Sequence, residues 1–179
     1  MAEAFINQVN RAVGIVTSSS NASIGVGLTW MSGISTAHVA IHDIVDNANF
    51  IAGTKVTFVG VSSVQLDRAS TNTVAATASN VSFLGPTTSY SSASATKSIL
   101  IGGTFANNTA NSVNLTVTVY DNTAAVESQL ASKIPVPTGS SFVISDAGKT
   151  VLEGDDELRV YCDTENAIDV NLSILKGVS

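Results

Sequence analysis

Apolar and polar residues alternate strictly along the last third of the chain. Val113, Leu115 and Val117 fall on one side of this alternation, while the polar residues between them fall on the other. A period of two residues predicts a strand with one face buried in a core. The same period recurs in segments whose apolar positions are Ile134 and Val136, then Leu158, Val160 and Cys162, and finally Ile168, Val170, Leu172 and Ile174. The pattern predicts a run of strands whose inward faces share one core.

The N-terminal segment carries its apolar residues at a different spacing. Phe5, Ile6, Val9 and Val13 follow the helical pattern, and a glycine comes directly after them. This spacing predicts a short amphipathic helix as an arm over residues 1–14. Because isolated helices shorter than about 12 residues are marginal in water, the helix is expected to dock on its own β domain or on a neighbouring subunit. We therefore take these four side chains as the candidate protein interface.

Short β-favouring runs, separated by glycines and an Asp-Asn turn, follow this segment. They occupy residues 37–45, 54–61, 63–67 and 80–83. Strands of this length and spacing predict a compact barrel or sandwich over residues 15–84.

A change of composition separates this module from the next one. Gly85 and Pro86 are followed by a Ser/Thr-rich stretch over residues 87–98, a pattern typical of a connection between modules. Residues 85–179 are then expected to form an antiparallel β-sandwich. The predicted fold class is all-β, with two small antiparallel sandwich or barrel modules and a short N-terminal helix.

The charge of the chain argues against some partners. Charged residues make up only 12% of the sequence, which has 8 Lys and Arg residues and a net charge of −6. Nucleic-acid binding depends on clustered positive charge, so we expect no nucleic-acid partner. Neither a secretory signal nor an apolar run long enough to cross a bilayer is visible. We expect no membrane partner, and a protein that stays in the cytoplasm of the cell that makes it or in a particle assembled there.

One short pattern imitates a phosphate-binding loop. Gly148, Lys149 and Thr150 match the end of such a loop, but Val143 stands where its first glycine belongs. The run that follows is also too short for the helix whose amides would bind phosphate. We expect a β-turn with an exposed lysine instead.

A second pattern imitates a zinc site. His38 and His42 are spaced as in helical zinc sites, yet the residues between them alternate as in a strand. Four residues of strand would separate the two imidazoles by about 13 Å, too far for one metal ion. We expect exposed histidines on one strand.

The remaining candidate sites are two acidic turns and a single cysteine. One loop combines the carboxylates of Asp43 and Asp46 with the amides of Asn47 and Asn49, and another contains Asp155, Asp156 and Glu157. Each is expected to be a solvated turn, with calcium as the open alternative. Cys162 lies on the inward side of its strand, which predicts a buried and unreactive thiol. No catalytic triad is visible, so we expect a protein that is not an enzyme and has no cofactor.

Several runs in the chain resemble bacteriophage proteins. GISTAHVAIHDIV at residues 33–45, followed by IAGTKVTFVG at 51–60, is similar to a small β module that is common in the virion proteins of tailed phages. Further runs resemble virion structural proteins of phages that infect marine cyanobacteria, namely VSSVQLDRASTNT at 61–73, FLGPTT at 83–88, KSILIGGTFAN at 97–107 and VISDAGKTVLEGD at 143–155. The resemblance covers nearly the whole chain. It implies a virion structural protein, brings no catalytic residue with it and does not indicate the position in the particle.

The pattern and the resemblance lead to one functional hypothesis. We expect a non-enzymatic structural subunit of a tailed phage particle, with a capsid decoration or cement protein as the favoured role. Its partners would be other virion proteins of the capsid, neck or tail, and copies of itself in a homo-oligomer held by contacts repeated by symmetry. The N-terminal helix would be the anchor. Deleting residues 1–13 is therefore expected to abolish incorporation while leaving both modules folded.

Alternatives to a decoration protein remain open. Within the particle, the chain could be a neck, tail or baseplate accessory protein. From another class, it could be a receptor or glycan-binding module, for which Trp30 and Tyr90 are the candidate aromatic platforms, although both also suit packing. A depolymerase would need paired carboxylates that only folding could bring together.

Overall fold

The computed structural model describes residues 3–19, 21–51, 53–74, 80–145, 149–164 and 166–178, and these residues form strands and turns without any helix. The all-β class predicted from the sequence is confirmed. The chain divides into two compact units, one made of residues 1–15 and 86–179 and the other of residues 16–85. We call the first the sandwich unit and the second the inserted unit, because it lies between two segments of the first.

The strands are short in the inserted unit and long in the sandwich unit. In chain order they are β1 (Ala4–Val13), β2 (Ile15–Ser19), β3 (Trp30–Ser32), β4 (Ile44–Asp46), β5 (Val56–Val59), β6 (Ser63–Leu66), β7 (Val81–Gly85), β8 (Thr87–Ser91), β9 (Lys97–Asn107), β10 (Val113–Asp121), β11 (Val126–Val136), β12 (Ser141–Ile144), β13 (Thr150–Leu152), β14 (Glu157–Cys162) and β15 (Ile168–Val178).

The sandwich unit consists of two antiparallel sheets. The first sheet has five strands in the order β1-β15-β9-β12, with β13 also paired to β9, and the second has four strands in the order β11-β10-β14-β8. The chain crosses repeatedly between them: β1, β9, β12, β13 and β15 lie in the first sheet, and β8, β10, β11 and β14 lie in the second. This order of strands in two facing sheets is that of a jelly roll.

The core of the sandwich unit lies between its two sheets. Leu115 and Val117 of β10 belong to the same buried cluster as Phe105 of β9 and Leu172 of β15. These side chains are fully shielded from solvent. The inward positions predicted for β10, β14 and β15 are confirmed, because the alternation that marks a half-buried strand is a local property of the sequence.

The N-terminal segment is a strand, so the predicted helix is wrong. β1 pairs antiparallel with β15 from Ala4 opposite Lys176 to Val13 opposite Ile168, and its exposure alternates residue by residue. A lone helix of this length gains little stability in water. Pairing with β15 satisfies the backbone of β1 along one side and places Ile6 against the core. The tertiary contact therefore overrides the helical spacing.

The inserted unit contains two three-stranded sheets, in the orders β2-β7-β4 and β3-β6-β5. Its own core includes Met31, Val56, Val64 and Phe83, all fully buried.

The strand predicted over residues 37–45 is mostly a turn. Only Ile44–Asp46 is extended, and His38 and His42 have positive φ angles of 64° and 77°. Residues other than glycine rarely adopt this backbone conformation, and it is incompatible with a strand. The Asp43 carboxylate holds the turn by accepting the Ala40 N–H at 2.8 Å.

Candidate protein-interaction surface

The structure divides the four predicted interface residues between two faces of β1. Phe5 and Val9 point away from the core and are 77% and 62% exposed. Ile6 packs against the core of the sandwich unit and Val13 is buried in it. Only Phe5 and Val9 are therefore accessible to a partner. Alternation of side chains places Ile6 on the inner face, and the register irregularity between Asn10 and Val13 turns Val13 inward as well.

Phe5 belongs to an apolar row that crosses the first sheet. Phe5 lies opposite Leu175 on β15, Leu175 lies opposite Ile99 on β9, and Ile99 lies opposite Val151 on β13. Directly opposed residues share one face of a sheet. Phe5 and Val151 are exposed at the two ends of the row, while Leu175 and Ile99 are partly covered. We call Phe5, Leu175, Ile99 and Val151 the apolar row.

The neighbouring row on this outer face is uncharged as well, and charged residues of the face, such as Glu3 and Arg11, lie toward the two ends of β1. A second row runs from Val9 through Asn171 and Thr104 to Val143, and its two valines are exposed. The Lys97–Glu153 ion pair, with Nζ and Oε1 3.0 Å apart, lies at the margin and is about half exposed, so it adds little to stability. An apolar centre with charged groups at its margin is typical of a protein interface.

The outer face of the second sheet has a different character, because its charged groups interact with one another. Arg159 stacks over the Tyr120 ring at 3.9 Å from the ring centre and donates from Nε to Glu157 at 2.7 Å. Thr118 donates to Glu127 at 2.7 Å. The Arg159–Tyr120 and Thr118–Glu127 contacts join neighbouring strands, which suits a structural role.

The inserted unit carries an exposed aromatic pair. The Trp30 and Phe58 rings are 5.7 Å apart at an angle of 73°, and each residue is 49% exposed. Both lie opposite Gln65 of the central strand β6. An irregularity in the register between Val56 and Phe58 breaks the alternation of β5, which is why sequence reasoning missed Phe58.

Tyr90, the other predicted aromatic platform, is a packing residue. It is partly buried against the core of the sandwich unit. Its hydroxyl group is 2.8 Å from the Ser98 Oγ. The ring is therefore not free to stack against a ligand.

The histidines and the first acidic loop lie in exposed turns around one buried carboxylate. His38 and His42 are exposed, as expected, but they lie in turns and not on a strand. Asp43 is buried, and this burial raises the pKa of its carboxyl group, against the opposing effects of the Ala40 N–H and His42. In the same loop, Asn47 Oδ1 accepts the Asn49 N–H at 2.9 Å.

In the second acidic turn, a carboxylate again binds backbone amides. Asp156 is buried and accepts N–H groups from Asn122 at 3.1 Å and from Glu153 at 2.9 Å. Glu157 is paired with Arg159. Across the described residues, no group of three or more His, Cys, Asp or Glu side chains is arranged to hold a metal ion.

The remaining motifs also have structural explanations. In the motif that imitates a phosphate-binding loop, Gly148 lies outside the described residues. Thr150 begins a strand, whereas a phosphate-binding loop would require a helix there. Cys162 is buried, as predicted, and its thiol donates to the Thr164 carbonyl at 2.8 Å. Burial raises the pKa of this thiol, which lowers its reactivity.

Within the described ranges, no helix is long and apolar enough to cross a membrane. No protein-family model matches the chain, and the comparison with curated proteins gives no match.

Proposed function

We propose that this chain is a non-enzymatic structural subunit of a tailed phage particle, with capsid decoration or cementing as its role. It would act in the virion, after assembly in the host cytoplasm, through contacts with other virion proteins and with copies of itself. The observation that carries this proposal is the outer face of the first sheet, where the apolar row crosses four strands without a charged residue. The resemblance of the sequence to phage virion proteins supports the same role.

The energetics of this face suit assembly. Full burial of an exposed apolar side chain contributes about 1.5–3 kcal/mol, so a few such residues give a weak contact that symmetry multiplies over a particle. The jelly roll itself agrees with this role, because viral capsid domains use it, but lectins and cupins use it too. The fold alone therefore does not determine the function.

The first experiment counts copies in purified particles by quantitative mass spectrometry. A decoration protein is expected at a copy number on the order of hundreds, because it follows the capsid lattice. A copy number of about a dozen or fewer would favour the neck, tail or baseplate alternative. Particles that lack the protein altogether would contradict the whole proposal.

The second experiment tests the outer face with surface variants. Val143→Ser combined with Val151→Ser removes two exposed apolar side chains at the β12 and β13 edge, and incorporation is expected to fall about tenfold. The matched control is Val26→Ser combined with Val61→Ser, two exposed valines of the inserted unit. Equal incorporation of the two double variants would show that the outer face is not the docking surface.

A second candidate function is glycan or receptor binding, which the exposed Trp30 and Phe58 pair favours. Aromatic faces stack against the apolar faces of sugars, and these are the exposed aromatic rings of the β3-β6-β5 sheet. A glycan array read with the wild type and with Trp30→Ala tests this role. Binding that disappears in Trp30→Ala would support the role, and an array without any signal for the wild type would exclude it.

A further inference from the structure

The edges of the sandwich unit are protected unequally. An exposed edge strand offers unpaired backbone groups to other strands, and proteins commonly prevent such pairing by short strands, proline, lysine or irregular backbone. β8 has five residues, β12 has four and β13 has three. β11 is longer, but it contains Pro135 and a positive φ of 49° at Lys133. Each of these edges carries a recognised protection against pairing.

β1 carries such a protection only at its C-terminal end, where the register with β15 shifts between Asn10 and Val13 and Ala12 has a positive φ of 53°. From Ala4 to Asn10 its register with β15 is regular, and the strand contains neither proline nor lysine. It ends the first sheet, and no described strand pairs with its other side. Its outward side chains include Phe5 and Val9, which are the most exposed apolar residues of this sheet.

The charges that flank β1 are arranged for pairing with an identical strand. Glu3 and Arg11 are exposed on the same face as Phe5, Asn7 and Val9. In an antiparallel pair centred on Asn7, Glu3 of one copy lies opposite Arg11 of the second copy. Phe5 then lies opposite Val9, and Asn7 lies opposite Asn7. Because of the two-fold axis, the Glu3–Arg11 pair and the Phe5–Val9 pair each occur twice. The strand is therefore complementary to itself in both charge and hydrophobicity.

We propose that β1 pairs with β1 of a second copy of this chain, in antiparallel register centred on Asn7, to form a two-fold dimer. The first sheets of the two copies then make one continuous sheet. The unpaired backbone groups of both β1 strands become hydrogen-bonded, and the apolar row of each copy continues through Phe5 to Val9 of the other. The dimer forms between purified chains, so this inference goes beyond the proposed virion role and does not rest on it.

A charge-reversal series tests the register by analytical ultracentrifugation of the full chain at micromolar concentration. Arg11→Glu and Glu3→Arg each place like charges opposite one another twice, so each is expected to weaken dimerisation by about tenfold. The double variant Glu3→Arg with Arg11→Glu restores both unlike pairs and is expected to recover the wild-type dissociation constant. Lys133→Glu on β11 changes net charge as Arg11→Glu does, and it should leave dimerisation unchanged.

Two results of this series would overturn the proposal. One is a wild-type chain that stays monomeric throughout the concentration range. The other is a double variant that dimerises as weakly as the single variants. Thermal unfolding of every variant verifies folding, which is expected to survive because both altered side chains are exposed.

Engineered disulfides test the same register without changing charge. Asn7→Cys brings two thiols together at the two-fold axis, where opposed Cα atoms are about 4.5–5.5 Å apart, and oxidation is expected to give a covalent dimer. Phe5→Cys alone should not cross-link, whereas a mixture of Phe5→Cys and Val9→Cys chains should give the mixed dimer. Cross-linking of Phe5→Cys with itself, or none in Asn7→Cys, would overturn the register. The native Cys162 is buried and does not interfere.

The outcome is separable from that of the proposed function. The virion experiments alter Val143 and Val151 on the opposite edge of the sheet, and the dimer experiments alter only β1. A dimer that is absent from phage particles would contradict the virion role alone. A virion protein that is monomeric in solution would contradict the β1 pairing alone.

Discussion

At the scale of single residues, Gly14 is the position with the strictest requirement. It follows β1 with a φ of +103°, and a Cβ there would be 2.5 Å from the Cys162 Sγ and 2.9 Å from the Thr164 carbonyl oxygen. The clash adds to the strain of the left-handed backbone, so Gly14→Ala is expected to lower the free energy of unfolding by about 3 kcal/mol or more. Gly139→Ala is the control, since Gly139 has a φ of +67° but nothing within 4 Å, and should cost about 1–2 kcal/mol. Urea unfolding curves measure both, and equal losses would contradict the argument from packing.

Two tyrosines provide a matched pair for the energetics of buried hydroxyl groups. The Tyr161 hydroxyl is buried without a hydrogen-bond partner among the described residues, whereas the Tyr90 hydroxyl bonds Ser98. Tyr161→Phe removes an unsatisfied polar atom and is expected to leave stability unchanged or raise it by up to about 1 kcal/mol. Tyr90→Phe leaves Ser98 with one bond fewer and is expected to cost about 1 kcal/mol. A larger loss in Tyr161→Phe, measured by thermal unfolding, would contradict this assignment.

The buried Asp43 carboxyl group is expected to make the free energy of unfolding depend on pH. Burial raises the pKa of this carboxyl group above its ordinary value of 3.8, so the folded state binds the proton more tightly than the unfolded state. The stabilising effect of that proton is fully present below pH 3.8 and is lost as pH rises through the folded pKa. The free energy of unfolding of Asp43→Asn, relative to the wild type, is therefore expected to increase from acid to neutral pH. Urea unfolding at several pH values measures it, and an opposite slope would refute the raised pKa.

At the scale of elements, β1 shows why a short apolar segment is ambiguous. Phe5, Ile6, Val9 and Val13 fit a helical face, yet in the structure two of them point outward and two inward. No local signal distinguishes these outcomes, because the decisive interaction is the pairing with β15, which lies at the other end of the sequence. Strand propensity depends more strongly on such neighbours than helix propensity does.

Because β1 is a strand paired with β15 and not a helical arm, its removal is expected to disturb the folding of the sandwich unit. Deleting residues 1–13 removes the strand that pairs with β15 and takes Ile6 and Val13 away from the core. We therefore expect the truncated chain to lose cooperative unfolding in the sandwich unit, in contrast to the folded truncation expected from the sequence. Circular dichroism melting and limited proteolysis measure this loss. A truncated chain that melts like the wild type would restore the idea of a detachable arm.

At the scale of the whole molecule, the two units have separate cores. Within the sandwich unit, the Gly14 N–H lies 3.4 Å from the Thr87 hydroxyl, so the two ends that flank the inserted unit are close together. Replacing residues 16–85 by a short Gly-Ser linker is therefore expected to leave a folded jelly roll, since short loops cost little entropy to close. A cooperative thermal transition with a β-type circular dichroism spectrum would support this result. An unfolded product would show that the sandwich unit needs the insertion.

The sequence by itself determined the all-β class and the inward positions of β10, β14 and β15. Leu115, Val160 and Leu172 were identifiable because a period of two residues is written locally, and burial of one strand face follows from it wherever the strand is placed. The buried Cys162 followed from the same alternation.

Only the tertiary structure decided which strands became neighbours. The extended state of β1, its position at the end of the first sheet and the assembly of Phe5, Leu175, Ile99 and Val151 into one row all depend on registers between residues far apart in sequence. The exposure of Phe58 likewise depends on an irregular pairing with β6. Such registers arise from the packing of complete sheets against each other, because no short segment contains the partner that its backbone and side chains will meet.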